Sequence, residues 1–236
     1  MIDLYTWHTP NGRKVSIMLE EIGMAYNVLP INIAKDEQFQ PHFLEVSPNN
    51  RIPAIVDKEN NNYSLFESGA ILMYLAEKSG MLVNKSNSDE YYRTIEWLMW
   101  QMGGLGPMAG QAHHFLKYAP NMDPPADIPY AKNRYKVEVA RLYGVLNENL
   151  KMRDFVAGQF FSIADMAIWP WYGRLALGRQ YGKKAGKFLN VTEYTHIIRW
   201  ATEIGRVDIL HEVSLLSSYQ ASPRVGPVSY THLTLP

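Results

Sequence analysis

The sequence predicts two fold classes in succession: a small α/β unit of order β-α-β-(α)-β-β-α over residues 1–80, then an all-helical unit over residues 90–213. Three observations carry this reading. Short apolar runs bounded by turn residues recur as far as Phe66, helical periodicity takes over from Glu90, and a polar linker, residues 81–89, lies between them. With 236 residues, 47% of them apolar, the chain can bury one large core or two modest ones. Residues 214–236 end in a proline-rich stretch without amphipathic period, read as an appended, non-native tail and left out of the fold.

Each element has its own warrant. Ile2 to Trp7 is an apolar run stopped by Thr9-Pro10-Asn11-Gly12, a buried strand followed by turn chemistry. Val15, Met18, Leu19 and Ile22 then recur at helical spacing, with Arg13, Lys14, Glu20 and Glu21 off that stripe and Gly23 as the stop. Residues 26–33 alternate as a second strand, and Pro30, which has no amide to donate, puts it at a sheet edge. A short helix or loop holding Gln38, Phe39 and Phe43 leads to Ser47-Pro48-Asn49-Asn50. Residues 53–57 and 63–66 flank a tip with three consecutive asparagines, a hairpin, and a helix opens at Glu67-Ser68-Gly69 and closes at Ser79-Gly80.

In the second unit, Ile95, Leu98, Met99 and Met102 form a stripe that runs into Gly103-Gly104-Leu105-Gly106-Pro107, where the helix should end or kink. Four prolines between Tyr118 and Pro129 forbid regular helix there, and a long helix follows from Tyr130 to Leu150. Ser162-Ile163-Ala164-Asp165 has capping-box spacing ahead of an apolar run and marks a buried helix start.

Composition narrows the function. The 23 basic and 23 acidic residues cancel, so no net positive field exists to hold a nucleic acid or an anionic membrane. No stretch approaches the roughly 18 apolar residues of a membrane span and the first residues lack a secretory signal, which points to a soluble, cytoplasmic protein. There is no cysteine, so thiol chemistry must use a thiol brought by a ligand.

The βαβ-ββα unit joined to a helical domain, with Ser47-Pro48-Asn49-Asn50-Arg51-Ile52-Pro53 before the third strand and Phe66-Glu67-Ser68-Gly69-Ala70-Ile71 after the fourth, resembles the glutathione transferases over residues 1–213. Thr9-Pro10-Asn11-Gly12, the run from Trp100 to Met108, Gly110-Gln111-Ala112-His113-His114-Phe115 and the run from Ser162 to Trp171 resemble the nu class within it. The resemblance implies a thioredoxin-like first domain, glutathione as cofactor, a homodimer, and glutathione-dependent disulfide reduction without a protein cysteine. Partners would be glutathione and a small disulfide or electrophile. Conjugation or peroxide reduction by the same thiolate is the alternative, and a non-catalytic glutathione-binding regulator the second.

The residues themselves suggest a site. Glu67 and Ser68 stand at a helix start, where amides, the dipole and a hydroxyl suit a carboxylate while Glu67 suits an amino group, together an α-amino acid terminus. The alternative is that Ser68 only caps its helix. Taken alone, the Ile52–Pro53 bond is expected to be trans. The resemblance implies a cis bond, with the Ile52 backbone pairing to the cysteinyl part of glutathione. Arg51 and Gln38 become candidates for its glycyl end, an ordinary surface role being the competing view. Thr9 and Asn11 lie where donors would stabilise a thiolate, Asn11 as the principal one, against a reading of Pro10-Asn11-Gly12 as a plain turn. Tyr5 reads as core, with Tyr5 or Trp7 as a site wall in the alternative. Arg134 is carried over from the nu-class pattern as a glutathione contact from the helical domain. Adjacent His113 and His114 diverge on a helix, so they read as polar lining of a second-substrate pocket and not as a metal site.

Overall fold

The computed structural model describes residues 1–180, 186–187 and 189–205; the expected tail and the helix expected as far as residue 213 fall, from residue 206 on, outside the described residues. The chain forms two compact units that part between Ile71 and Leu72.

The first unit holds a four-stranded sheet of order β2-β1-β3-β4. Strand β1 (Ile2–Thr6) leads into helix α1 (Pro10–Glu21), which Gly23, at positive φ, turns back into β2 (Tyr26–Pro30), parallel to β1. Pro30 lies on an edge strand, where its missing amide costs nothing. Two single 3-10 turns and helix α2 (Pro41–Leu44) follow, then β3 (Ala54–Asp57) and β4 (Tyr63–Phe66), both antiparallel to their neighbours. Asn61 and Asn62 at the hairpin tip both adopt positive φ, the conformation that asparagine tolerates better than most residues. Alternation along β1 separates two cores. Ile2 and Leu4 are fully buried on one face, while Tyr5 packs on the other with Ile31, Phe43 and Ala54. Helix α3 (Ser68–Ser79) begins in this unit, and the boundary falls within it.

The second unit is helical. Helix α4 (Asp89–Trp100) is capped by Ser88, whose hydroxyl accepts from the Tyr91 amide at 3.1 Å. Its buried residues are Thr94, Trp97 and Leu98, and Met99 is 48% exposed, so the expected stripe is wrong by a rotation of about one residue. The bulky indole of Trp97, which the stripe omitted, takes the inner face. Nor does the chain stop at the glycines. A π-helical turn over Gln101–Leu105 absorbs them, and Pro107 sits in the first turn of α5 (Gly106–His113), where no donor is required of it. A side chain at Gly106 would strike Gln101, which is why glycine stands there. A second π turn, His114–Tyr118, precedes the proline-rich stretch, and α6 (Pro129–Lys151) buries Val139, Leu142, Tyr143, Leu146 and Leu150 at helical spacing. Helix α7 (Ile163–Ala176) packs with α8 (195–205) through two indoles: Trp169 donates to the Ala201 carbonyl at 3.0 Å and Trp200 to Asp165 at 2.8 Å.

Candidate functional site at one end of the sheet

Register gathers the predicted residues of the first unit. Ala54 pairs with Tyr5 on one side and with Phe66 on the other. The chain entering β3, Arg51-Ile52-Pro53, therefore lies between the chain leaving β1 toward α1 and the chain leaving β4 toward α3. Ladders alone bring Thr9, Asn11, Ile52, Glu67 and Ser68 to one end of the sheet, from three separate stretches of sequence.

At the β1–α1 junction, Thr9 is the N-cap: its hydroxyl oxygen accepts from the Gly12 amide at 3.2 Å. Pro10 is the first helical residue and Asn11 the second, so Pro10-Asn11-Gly12 is the opening turn of a helix and not the free-standing turn weighed from sequence. Asn11 thus brings both an amide side chain and a first-turn backbone amide to the positive end of the helix dipole. A side chain at Gly12 would run into the Thr6 hydroxyl and the Trp7 carbonyl, so glycine lets α1 start this close to β1.

The Ile52–Pro53 bond is cis. Neither the amide nor the carbonyl of Ile52 takes part in a backbone hydrogen bond among the described residues, since pairing of β3 begins at Ala54. Fully buried Ser47, a residue that sequence reasoning missed, donates to the Arg51 carbonyl at 2.9 Å and holds this loop from behind. The Arg51 guanidinium is exposed and reaches the Asn50 side-chain oxygen at 3.0 Å. Gln38 is not the surface residue of the competing view. It is 8% exposed, its amide donates to Asp36 at 3.3 Å, and its own oxygen has no hydrogen-bond partner among the described residues.

At the start of α3, Glu67 is exposed with φ 72°, a left-handed backbone that costs a non-glycine residue about 1–3 kcal/mol and recurs at functional sites. Ser68 is buried, and its hydroxyl oxygen accepts from the Lys14 ammonium at 3.3 Å. Lys14 corrects the sequence reading, which left it on the solvent face of α1: it is 1% exposed. Burial pulls its ammonium from 10.5 down to about 7, partly opposed by the negative charge of Glu67. The signal was available, because Lys14 stands four residues before Met18 and so borders the apolar stripe.

Arg134 belongs to the second unit. It is exposed on α6 in a groove of about 560 Å³ with Met108, Tyr130, Asn133, Tyr135 and Glu138. His113 is not pocket lining. It is buried, its Nδ1 lies 2.8 Å from the Ala109 carbonyl, and burial holds its imidazole down at about 4. His114 stands edge-on to Phe115, ring centres 5.0 Å apart. Tyr5 packs against Phe43, as its place on the strand suggested. Among the described residues no group of three or more His, Cys, Asp or Glu could hold a metal, and no helix is long and apolar enough to cross a membrane.

A parallel-paired β1 and β2, an antiparallel hairpin, a cis proline ahead of β3 and a helical second unit define a class, and comparison with known families agrees. Residues 1–77 match the glutathione S-transferase N-terminal domain and residues 112–210 its C-terminal domain; the chain belongs to this family. Among its relatives is the disulfide-bond oxidoreductase YfcG of Escherichia coli K12, 50% identical over 175 residues that cover 72% of this chain and 79% of that protein. The disulfide-bond oxidoreductase YghU of the same organism is 43% identical, covering 86% and 70%. A glutathione transferase family member from Pseudomonas fluorescens, solved with two glutathione molecules bound, is 42% identical with a TM-score of 0.78, covering 86% of this chain and 87% of that one. A glutathione transferase from Pseudomonas putida, solved with one glutathione disulfide per subunit, is 41% identical with the same TM-score, covering 86% and 85%.

Proposed function

We propose that this protein is a glutathione-dependent disulfide-bond oxidoreductase. The observation that carries the reading is the meeting, at one sheet end, of a helix start bearing Glu67 and Ser68, the backbone of Ile52, which makes no backbone hydrogen bond among the described residues, and a helix N-terminus bearing Asn11, in a chain without cysteine. Glutathione lies extended along these groups. Glu67 takes its amino group, Ser68 its γ-glutamyl carboxylate, Ile52 the cysteinyl backbone, and Arg51 and Gln38 the glycyl end. The relatives named as disulfide-bond oxidoreductases, and the relatives solved with glutathione or its disulfide, support the reading.

The chemistry follows from the missing cysteine. A bound glutathione thiolate attacks one sulfur of a substrate disulfide, forming a mixed disulfide and expelling the other sulfur as a thiolate that takes a proton from solvent. A second glutathione thiolate then attacks the glutathione sulfur of the mixed disulfide, which yields glutathione disulfide and releases the second substrate thiol. What the protein supplies is the thiolate at neutral pH, through the side chain and backbone amide of Asn11 and the Thr9 hydroxyl. A cytoplasmic location fits, because reduced glutathione must be abundant. A homodimer fits the exposed Tyr92 and Met99 on α4.

Asn11→Ala tests the mechanism. The pKa of bound glutathione should rise and turnover of a small disulfide should fall by up to ~100-fold, with a lesser change in affinity, as read from thiolate absorbance against pH and from steady-state rates. If the thiol pKa and the rate both stay where they are, Asn11 only opens the helix.

A further inference from the structure

Ser47 is fully buried, and all three of its polar groups are engaged within its own loop. Its amide donates to the Phe43 carbonyl at 2.8 Å, its carbonyl accepts from the Asn50 amide at 2.9 Å, and its hydroxyl donates to the Arg51 carbonyl at 2.9 Å. Phe43 lies in the core with Ile31 and Ala54, so these bonds tie Arg51 to the packed side of the sheet. The Arg51–Ile52 peptide unit is trans, and in a planar trans unit the carbonyl and the following N–H point in opposite directions. With the carbonyl drawn in to Ser47, the Ile52 amide is turned the other way. The Ile52 side chain packs on the same core and holds the residue from its other end. Two residues before Ala54, the register would set Ile52 opposite Trp7 on one side and Ser68 on the other, but there one chain has left β1 and the other has begun α3. The Ile52 amide has no hydrogen-bond partner among the described residues, so an extended backbone added at this point meets a donor already aimed.

Resting on the proposed glutathione site, we infer that Ser47 is a positioning residue: its hydroxyl, by holding the Arg51 carbonyl inward, aims the Ile52 amide at the carbonyl of the ligand's thiol-bearing residue. Recognition of that carbonyl then depends on an enclosed side chain that does not touch the ligand. Without the hydroxyl, the Arg51–Ile52 unit is free to rotate and the donor is lost, while the helix start bearing Glu67 and Ser68 stays in place.

The experiment titrates wild type and Ser47→Ala calorimetrically with three thiols: reduced glutathione; γ-glutamylcysteine, which lacks the glycine and keeps the cysteinyl carboxyl; and γ-glutamylcysteamine, which lacks that carboxyl as well. Wild type should prefer γ-glutamylcysteine to γ-glutamylcysteamine by at least about tenfold. Ser47→Ala should lose most of this preference, binding glutathione and γ-glutamylcysteine about tenfold more weakly and γ-glutamylcysteamine within about twofold of wild type, because the group that the Ile52 amide serves is absent from it. A merely structural serine would weaken all three ligands alike, and that result overturns the inference. So does unchanged affinity of Ser47→Ala for glutathione, or a wild type that binds glutathione yet does not distinguish the two shorter thiols. Wild type that binds none of the three would instead show that the glutathione reading of this sheet end is wrong. Should Ser47→Ala not fold, Ser47→Gly enters the same titrations; failure of both to fold makes Ser47 structural and overturns the inference.

Discussion

Helices α3 and α7 both begin with a serine beside an acid, and they use the pair in opposite ways. At α7, Ser162 caps, and Asp165 closes the box while buried completely. Its two oxygens accept from the Val156 amide at 2.8 Å, the Ser162 amide at 3.1 Å, the Ser162 hydroxyl at 3.0 Å and the Trp200 indole at 2.8 Å. At α3 the acid, Glu67, is exposed on a left-handed backbone, and the serine is backed by a buried ammonium. One helix start is closed on itself and the other faces outward. Ser-x-x-Asp spacing reports the closed kind, because the acid can return to its own cap only from the third helical position. An acid placed before the serine cannot do this, and Glu67 stays exposed.

The largest effect expected from breaking this contrast is on stability. Asp165→Ala would leave buried amide, hydroxyl and indole donors without their acceptor and should cost about 3 kcal/mol or more, seen as a lower denaturation midpoint in urea, with glutathione affinity of the folded fraction unchanged. A midpoint within error of wild type would make the box dispensable. Glu67→Gly sharpens the other side. Glycine relieves the left-handed backbone, so stability should hold or rise by about 1 kcal/mol even though an added glycine usually destabilises, while glutathione binding weakens. Equal loss of both would mean that Glu67 serves the fold.

A pH dependence tests the ammonium behind Ser68. The Lys14 ammonium lies at about 7 in the folded protein against 10.5 ordinarily, so between these values the unfolded chain binds a proton that the folded chain does not. Folding stability contributed by Lys14 therefore rises as pH increases through this window, with Glu67 pulling the other way. Urea unfolding at pH 7 and pH 9 should show wild type gaining on Lys14→Met. A parallel pair of curves would mean that the lysine titrates normally.

Much of the first unit was legible because its signals are local. Pro30 marked an edge, three asparagines a hairpin tip and Gly23 a helix end, each through a backbone preference that holds in any context. Helix α4 was misread because its stripe was drawn through flexible methionines, whereas burial followed Trp97 and Leu98. The glycines and proline after it were read as a break because each destabilises an α-helix, yet a π turn accommodated them at the cost of one extra residue per turn. Of the candidate site, the motif residues were legible through resemblance; the hold of Ser47 on the Arg51 carbonyl was not, and the burial of Lys14 was signalled only by its place four residues before Met18.

The sequence by itself determined the order of elements, the absence of any protein thiol, and the residue types that a glutathione site would use. The tertiary structure decided which of them meet. Ala54 pairing on both sides is what sets Ile52 between α1 and α3, and no local signal encodes a ladder partner. Lys14 shows the same limit at the scale of one side chain. A lysine beside an apolar stripe reads as solvated because charge favours water, and only the packing of α1 and α3 onto one sheet end shows that its ammonium is enclosed against Ser68.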